Sequence, residues 1–387
     1  MCLGIAPGAA AQAPATSSPP PPPPPQEEPI TWKDRLKEPD QAGGLHFTEH
    51  WAVAFGGIKQ GSGVGAGPAW STKFANGGFV QLKAVISIRN FRLLQARYDS
   101  PRFWNDRGIL INRLRWHDAP EVALYQLGPD SPDREIDYAE RRTELSSQMV
   151  VRLRPTVRAA GGFGFERFRT RADRLNELVD PALLASLGSP GLTAPPPGLG
   201  TRPMYAHGFG SLGYDTRLSP DYTRHGRFIE GELHGYSDVS GDQPAFGRFE
   251  GTIEQYIPTH GERGVIGVSA RTWLSVSDNS RAVPFYLTPT LGGGDLLRAY
   301  PSYRFRDRHA LLLTAQYRWA VHKFVDVATT YEAGKVAPTV GGLDFDNIAQ
   351  SIALGARLHS KKSGLLRADV AYGREGVGFR IGFSAGG

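Results

Sequence analysis

Apolar and polar side chains alternate along most of the chain from about residue 61 to the C-terminus. Between residues 79 and 89, apolar side chains hold every even position and mostly polar ones hold the odd positions, and similar alternation recurs at 144–154, 311–319 and 376–383. A period of two predicts β-strands with one apolar and one polar face. A soluble two-sheet sandwich would also alternate, but segments of about 10 residues with aromatic ends match a tilted strand that crosses a bilayer.

The alternation predicts sixteen strands and an asymmetric set of connections. The expected strands are 61–74, 79–89, 91–99, 107–118, 120–128, 136–154, 157–168, 204–217, 225–238, 246–257, 263–277, 310–320, 322–334, 347–359, 364–374 and 376–384. Every second connection is short, as at Asn90, Ala119 and Val321, whereas the alternate ones are mostly longer, as at 169–203 and 278–309. The predicted fold is therefore all-β, a transmembrane antiparallel β-barrel of about 16 strands with both termini on the short-turn, periplasmic side.

The first 44 residues differ in composition from the rest. A proline run from Pro19 to Pro25 favours extended polyproline II, and Ala9 to Ala13 offers a signal-cleavage pattern. The basic start and long apolar core of a secretory signal are missing, so either the translation start lies upstream or the leader is unusual. The predicted organisation is a signal-like remnant and disordered tether over 1–44 and a barrel domain over 45–387.

Composition and charge agree with a barrel. Hydrophobic residues make up 40% of the 387-residue chain and no run of about 18 apolar residues occurs, so no transmembrane helix is expected. The net charge of +6 comes from arginines spread singly along alternating segments, which indicates a charged lumen and argues against a nucleic-acid partner. The single cysteine, Cys2, excludes a disulfide framework and a thiolate metal site.

Catalysis has little support in the sequence, and no cofactor or metal is predicted. Two Ser-His pairs, Ser351 with His359 and Ser211 with His207, are the combinations that a lipase-type barrel would need, but chance pairing is expected among this many serines. Asp344 and Asp346 together could contact calcium, although two acids without further spacing are weak support. The prediction is that the protein is not an enzyme.

The stretch from Leu291 to Trp319 resembles the sixth extracellular loop and following strand of BamA/TamA-like barrels, also called bacterial surface antigen barrels. That family carries a V-R-G-[FY] motif in the loop, and Leu297-Arg298-Ala299-Tyr300 matches its arginine and its aromatic. Downstream, Tyr331-Glu332-Ala333-Gly334 is similar to the family's strand motif with Glu in place of Asp. The resemblance covers about residues 56 to 383.

The resemblance implies that the loop folds into the lumen and is held there. Arg298, with Tyr300 beside it, would lock the loop to Glu332 on the strand wall through charge-assisted hydrogen bonds. A left-handed backbone at the glycine position of the motif would make Ala299 costly by about 1 kcal/mol. A wider lumen network is expected from Arg304, Arg306, Asp307 and Arg318.

The C-terminal strand resembles the family's barrel-assembly signal. The residues expected to form this signal and the barrel seam are Gly376, Gly378, Phe379, Ile381 and Phe383. Glycines at 61–67 are expected to weaken the same seam from its other side.

Two functions follow from the resemblance. The first is assembly or translocation of other outer-membrane proteins through a gated seam, and the alternative is a structural or pore-forming barrel without insertase activity. About 45 residues precede the predicted barrel domain, too few for a periplasmic POTRA domain, so a barrel with a tether is expected, and a separate periplasmic partner is one candidate beside client proteins. The other expected partners are client proteins, outer-membrane lipid and lipopolysaccharide.

Overall fold

The structure, a computed structural model, describes residues 44–133, 135–171, 196–217, 222–241, 243–261, 263–277, 283–359 and 364–383. Within these residues the chain forms nineteen strands and two short 3₁₀ turns, at Phe285–Leu287 and Val340–Gly342. The strands are β1 (Gly44–His46), β2 (Trp51–Gly56), β3 (Gly65–Lys73), β4 (Phe79–Ser87), β5 (Arg92–Asp99), β6 (Gly108–Leu124), β7 (Ile136–Arg154), β8 (Val157–Arg171), β9 (Met204–Asp215), β10 (Gly226–Asp238), β11 (Phe246–Thr259), β12 (Gly264–Ser277), β13 (Thr290–Leu291), β14 (Phe305–Arg306), β15 (His309–His322), β16 (Val325–Ala337), β17 (Ala349–His359), β18 (Gly364–Gly373) and β19 (Gly376–Phe383).

Sixteen of these strands, β2–β12 and β15–β19, follow one another around one antiparallel sheet that forms a barrel. β13 and β14 form a separate two-stranded ribbon inside one long connection. The predicted fold class, an antiparallel barrel of about sixteen strands, is confirmed.

Two strand assignments were wrong in ways that leave the total unchanged. The first barrel strand, β2, lies upstream of the predicted strand 61–74, and the segments predicted as 107–118 and 120–128 are the single strand β6. A bulge between Ala119 and Val122 shifts the β6–β7 register by one residue at Pro120, which has no N–H to donate. The sequence signal for a turn was therefore a signal for a bulge.

The glycines at 61–67 do not line the seam as predicted. Gly61 and Gly63 lie in the connection after β2, with φ of 84° and 70°. Gly65 and Gly67 lie in β3, the second strand of the barrel. These glycines serve a turn and a close strand approach, since a Cβ at Gly67 would collide with the carbonyl of Ala84.

Connections alternate between a loop end and a turn end of the barrel. Four loop-end connections are used below, and they are L1 (57–64), L3 (125–135), L6 (278–308) and L8 (374–375). Asn90 joins β4 to β5 at the loop end, whereas the earlier strand assignment put it among the short turns. The predicted tether falls outside the described residues except for Gly44, and so does most of the predicted loop 169–203.

The two faces of the sheet differ as the alternation predicted. Outward-facing side chains include Leu145, Leu233 and Ile253, which are 55%, 66% and 55% exposed. Inward-facing side chains on the same strands are charged or polar, such as Glu144, Glu232 and Glu254. An apolar outer band around a polar interior is the arrangement of a transmembrane barrel. No helix in the described ranges is long and apolar enough to cross a membrane.

The short strand β1 occupies an edge of the first barrel strand. It folds back on β2 through a turn in which Phe47 N–H donates to Trp51 O (3.0 Å), and it pairs with Ala52, Val53 and Ala54. The same three residues of β2 pair with β3. Because a strand has only two edges, β1 lies on the edge of β2 that faces the closing strand β19.

Candidate functional site

L6 enters the barrel as a compact loop with an unusual backbone. The β13–β14 ribbon forms its neck, and between the two strands Gly292, Gly293 and Gly294 have φ of 111°, 76° and 58°. Leu297 and Tyr303 also have positive φ, 72° and 63°, whereas Ala299 is not among the positive-φ residues. The cost expected at Ala299 therefore does not arise, because the left-handed positions of this loop lie elsewhere.

Arg298 is buried at the tip of the loop among carboxylates of the barrel wall. Its backbone N–H donates to Glu332 Oε2 (2.7 Å), and its Nη1 donates to Glu332 Oε1. Its Nη2 donates to Asp295 Oδ1 (2.9 Å), and its Nε lies 3.5 Å from Asp369 Oδ2. Arg298 and Glu332, which the sequence analysis paired, are therefore in direct contact, with 6% and 0% of their surfaces exposed.

The charges around Arg298 balance within one network, here called the lumen lock. Its members are Arg298, Arg357 and Arg367 with Asp295, Glu332 and Asp369. Arg357 Nη2 lies 2.7 Å from Asp369 Oδ1, and Arg367 Nη1 contacts Asp295 Oδ1. Burial alone would raise the pKa of the loop residue Asp295, but Arg367 and Arg298 beside it hold that pKa below its ordinary value. Arg298, Glu332 and Asp369 can stay buried because each has an opposite partner, while Asp295 and Arg367 extend the network to positions with 43% and 30% of their side chains exposed.

An apolar seat surrounds the lock. Leu291, Leu297, Tyr300 and Phe305 of the loop are buried to 2% exposure or less. They pack on a small-residue patch of the wall formed by Val336, Ala349, Ala353 and Ala371. The predicted lock residue Tyr300 contributes by packing, since its ring lies 5.1 Å from that of Phe305 and its carbonyl accepts from Arg380 Nη2 (2.5 Å).

Three wall glycines make room for the loop. A Cβ at Gly378 on β19 would lie 2.8 Å from Arg298 O, and one at Gly373 on β18 would lie 2.8 Å from Ala299 Cβ. A Cβ at Gly334 on β16 would lie 2.9 Å from Leu291 Cδ1. Any side chain at these positions would push the loop away from the wall. Gly378 was predicted as a seam residue, and its contacts give it this second role as a platform for L6.

Arg304 joins L6 to two other loops. Its Nε and Nη2 lie 2.9 Å and 2.7 Å from the two carboxylate oxygens of Glu375 in L8. Its Nη1 donates to Ser131 Oγ in L3 (2.7 Å), and the guanidinium stacks over Tyr125. Arg306 is also buried, and its Nη1 donates to Phe285 O (2.6 Å). Both arginines therefore hold the neck of the loop, and they do so through other loops and through backbone carbonyls.

L1 closes over the same neck. Tyr303 Oη donates to Gln60 O (3.0 Å), and Gln60 Nε2 donates to Gly292 O (2.5 Å). Lys59 Nζ reaches the lumen wall at Glu140 Oε1 (2.7 Å). Because L1 directly follows β2, the first barrel strand and the lumen loop are mechanically linked.

Two members of the predicted lumen network lie apart from the lock. Asp307 accepts from the backbone N–H of its neighbour Arg308 (2.7 Å), and burial raises its pKa. Arg318 points inward near the turn end, where its Nε lies 3.4 Å from Asp326 Oδ2 and its guanidinium stacks over Tyr222. The prediction that these two residues continue one network with Arg298 was wrong, because inward position alone does not fix depth along a barrel.

Arg318 belongs instead to a second cluster at the turn end. Tyr222, in the connection between β9 and β10, donates to Asp326 Oδ2 (2.6 Å) and stacks on His359 with ring centroids 3.8 Å apart. His359 Nε2 lies 3.2 Å from Asp326 Oδ1. Burial and the bond to Asp326 raise the pKa of Tyr222 to about 12. This connection thus reaches strands β16 and β17 across the barrel interior.

The weaker candidate sites take structural roles. Ser351 accepts from Ala299 N–H (3.1 Å), whereas His359 lies at the far end of the same strand in the turn-end cluster. Ser211 and His207 lie four positions apart on β9, and His207 Nε2 instead lies 3.0 Å from His234 Nδ1. Asp344 contacts Lys335 Nζ, which also donates to Asp346 O (2.5 Å), so an ammonium group occupies the position proposed for calcium.

The seam residues divide between the two faces of β19. Phe379 and Ile381 face outward and are 61% and 58% exposed, while Gly378 faces the loop. Gly376 begins the strand with φ of 117°. The side chain of Phe383 falls outside the described residues, and the predicted assembly signal stays a prediction.

Sequence reasoning missed several members of the lumen lock and several residues that hold the loop. These are Asp295, Ser351, Arg357, Arg367, Asp369, Gln60, Ser131 and Glu375. The inward position of Asp369 on β18 follows from alternation, and that signal could have nominated it. The loop-to-loop partners carry no periodic signal, because turns and loops do not repeat.

Comparisons with known proteins place the fold. No family model matches the chain, and no curated protein sequence matches it. The structure is similar to that of BamA from Haemophilus ducreyi lacking POTRA domains 1–3, with a TM-score of 0.59 and 13% identity over 88% of this chain and 69% of that one. It is also similar to CdiB from Escherichia coli (TM-score 0.54, 11% identity, 86% and 60% of the two chains) and CdiB from Acinetobacter baumannii (0.52, 9%, 86% and 58%).

At these identities the likeness is one of fold. The chain spans about 60% of the length of the CdiB structures, so the activities of those proteins do not transfer with the barrel. The expected resemblance to a BamA-like barrel is confirmed at the level of architecture.

Removing Arg298 tests the lumen lock. Arg298→Ala leaves Glu332 and Asp369 buried without their shared cation, and we expect the folded barrel to lose roughly 3–5 kcal/mol. The measurement is heat-modifiable gel mobility, which gives the temperature at which the fast-migrating folded barrel converts to the slower unfolded chain. Arg308→Ala, a matched arginine in the same loop but outside the lock, should change this temperature little. Equal shifts in the two variants would contradict the lock.

Filling the platform tests the close approach of loop and wall. Gly378→Val places side-chain atoms against Arg298 O and Ala299 O, and overpacking of this kind costs about 1–3 kcal/mol. We expect L6 to become accessible to added protease in intact vesicles. Gly210→Val on β9, where a Cβ would have open space, is the control and should leave L6 protected. A protected loop in both variants would show that the contact is not needed.

Asp307 predicts a pH dependence of opposite sign to that of a salt-bridged acid. Its folded-state pKa is raised, so its contribution is fully present below the unfolded pKa of about 3.9 and is lost as pH rises through the raised value. Wild type should therefore lose thermal stability relative to Asp307→Asn as pH increases above about 4. Melting curves of both proteins across this range check the prediction, and parallel curves would contradict it.

Proposed function

We propose that the protein is an outer-membrane barrel that acts in the assembly or translocation of other proteins through a gated seam, with its lumen closed by L6. The observation that carries the proposal is the combination of two closures in one barrel. L6 fills the lumen at the loop end, and β1 covers an edge at the seam.

The contacts that close the lumen suit a plug. L6 is held by the lumen lock, by Arg304 to L3 and L8, and by L1. Polar contacts of this kind are specific in geometry and can be exchanged one by one for water. The turn-end cluster around Tyr222 adds a second crossing of the lumen. These features favour a closed or gated barrel over a steadily open pore, which is the alternative function.

The seam offers an edge that another chain can use. β1 pairs with β2 over three residues, whereas β6 and β7 pair along most of their lengths. A strand edge is a template for pairing with an incoming strand, which would add main-chain hydrogen bonds in place of β1. A client strand longer than β1 would form more main-chain hydrogen bonds with β2 than β1 does, which favours the exchange.

Location and partners follow from the same surfaces. The apolar outer band supports insertion in an outer membrane, with L6 on the outer side and the termini in the periplasm. The proposed clients are proteins with a terminal β-strand, and a separate periplasmic partner stays a prediction. BamA and CdiB share the fold, and the likeness supports the proposal only through the barrel.

A reversible cross-link at the seam tests the function. Leu45 and Val53 are directly opposite in the β1–β2 register, so Leu45→Cys/Val53→Cys can be joined by oxidation. The barrel in vesicles is supplied with an unfolded outer-membrane protein, and its folding is followed by heat-modifiable gel mobility. We expect the reduced barrel to accelerate folding over protein-free vesicles, oxidation to abolish the acceleration, and reduction to restore it.

Single-channel conductance distinguishes the proposed function from the alternative, a pore-forming barrel. Absence of any acceleration, together with a large and steady conductance that Arg298→Ala leaves unchanged, would replace the proposal with the pore-forming function. A closed or flickering wild type that opens in Arg298→Ala would instead fit a plugged lumen. The matched cross-link control is Leu45→Cys alone, and both proteins carry Cys2→Ser so that the single thiol of the control has no partner within the chain.

A further inference from the structure

A row of charged residues crosses the outer surface of four neighbouring strands near the loop end. Arg92 on β5 is directly opposite Asp118 on β6, which is opposite Arg141 on β7, which is opposite Arg169 on β8. These positions share one face because paired residues in antiparallel strands point the same way. With Arg167 and Arg171, two residues to either side of Arg169, they form what we call the rim arginine row.

The row faces away from the lumen. On β8 the alternate residues Glu166, Phe168 and Thr170 are buried to 3% exposure or less, and Glu166 pairs inside the barrel with Arg142 at 2.9 Å. Arg167 and its companions at 169 and 171 occupy the opposite parity and are not buried. Period-two alternation therefore places them on the outer wall.

The row borders the apolar band directly. Toward the turn end, Arg167 of the rim arginine row is level with Leu94, Trp116 and Thr143, and the next level contains Ala96, Leu114, Leu145 and Phe165. Leu94, Leu114 and Leu145 are 54%, 50% and 55% exposed. Aromatic side chains such as Trp116 and Phe165 are typical of the boundary between the acyl chains and the head groups. The arginines therefore lie at head-group depth in the leaflet on the loop side.

Positive charge in the row exceeds negative charge. Asp118 is shared by two arginines, with Arg141 Nε at 3.2 Å and Arg171 Nη2 at 3.4 Å. Arg141 also lies over the Trp116 ring at 5.8 Å, and Arg92 Nε donates to the neutral Asn90 side chain (3.3 Å). The Nε of Arg169 is buried and has no hydrogen-bond partner within the described residues. Asp137, nearer the loop end of β7, is the second carboxylate on this face beside Asp118. The five guanidinium groups of the row therefore outnumber the two carboxylates.

The chemistry of the row selects phosphate. Guanidinium groups match phosphate oxygens with paired hydrogen bonds, and basic residues at a membrane surface attract anionic lipid. Arginines in the lumen pair with carboxylates, as Arg298 and Arg304 do. In the rim arginine row, by contrast, the arginines outnumber the carboxylates. An excess of arginine beside an apolar band fits a ligand with anionic phosphate above acyl chains.

We propose that the rim arginine row binds the phosphorylated head group of a membrane lipid, through Arg141, Arg169 and Arg171 with Trp116 and Phe165 against its acyl chains. This rests on the proposed membrane location and is independent of seam opening, so the cross-link experiment and this one can fail separately.

The test is lipid binding by native mass spectrometry on the refolded full-length barrel. The probe is diphosphorylated lipid A, and phosphatidylcholine serves as the lipid without net charge. The variant Arg141→Gln/Arg169→Gln/Arg171→Gln removes three charges from the row. The control Arg107→Gln/Arg154→Gln/Arg263→Gln removes three charges from exposed positions at the turn end. Heat-modifiable mobility confirms that both variants fold.

We expect the row variant to bind the probe weaker by on the order of tenfold or more, and the control variant to bind as wild type does. Equal losses of affinity in both variants would show that only the net charge of the barrel matters, and would overturn the site. Unchanged binding in the row variant would also overturn it. Inorganic phosphate that displaces the probe at equal concentration would show a free-anion site and overturn the lipid assignment.

Discussion

The buried guanidinium of Arg298 is the interaction on which the interior of the barrel depends. An arginine placed among Glu332, Asp369 and Asp295 could not remain there without them, and those carboxylates would be equally costly without it. The pairing fixes where the tip of L6 sits, and from that position follow the neck contacts of Arg304 and the seat of Leu297. Ordering a long loop has a large entropic cost, and this charge-balanced point of attachment offsets part of it.

The wall is shaped to accept the loop as much as the loop is shaped to reach the wall. Gly334, Gly373 and Gly378 come from three strands, and each leaves the space that L6 backbone or side chains fill. Strand glycines are usually taken as weak points, but here close approach is their evident role. Since Gly378 lies on the last strand and L1 follows the first, the loop contacts both sides of the seam region. A change in the position of L6 would therefore alter contacts on both sides of the seam.

The outer surface carries a second kind of constraint. Inside the barrel, arginines are matched by carboxylates because water is limited there and an unpaired charge is costly. On the outer wall near the loop end, the rim arginine row has more cations than anions, and it begins where the exposed leucines end. The same residue type thus serves two environments, with protein carboxylates as partners in one and lipid phosphates proposed as partners in the other.

The sequence by itself determined the strand content, the two faces of the sheet and the pairing of Arg298 with Glu332, and it reached the strand count only because two errors cancelled. Period-two alternation is a local property of the sequence. The pairing followed from the resemblance of the loop motif and the strand motif to those of BamA/TamA-like barrels. Sequence could not locate β2, whose six residues alternate too briefly, and it could not tell the bulge at Pro120 from a turn. It also grouped Arg318 and Asp307 with the lock and missed Asp369, Glu375 and Ser131. Depth along a barrel and contacts between loops depend on strand register and closure, which bring residues far apart in the chain together, so only the tertiary structure decided them.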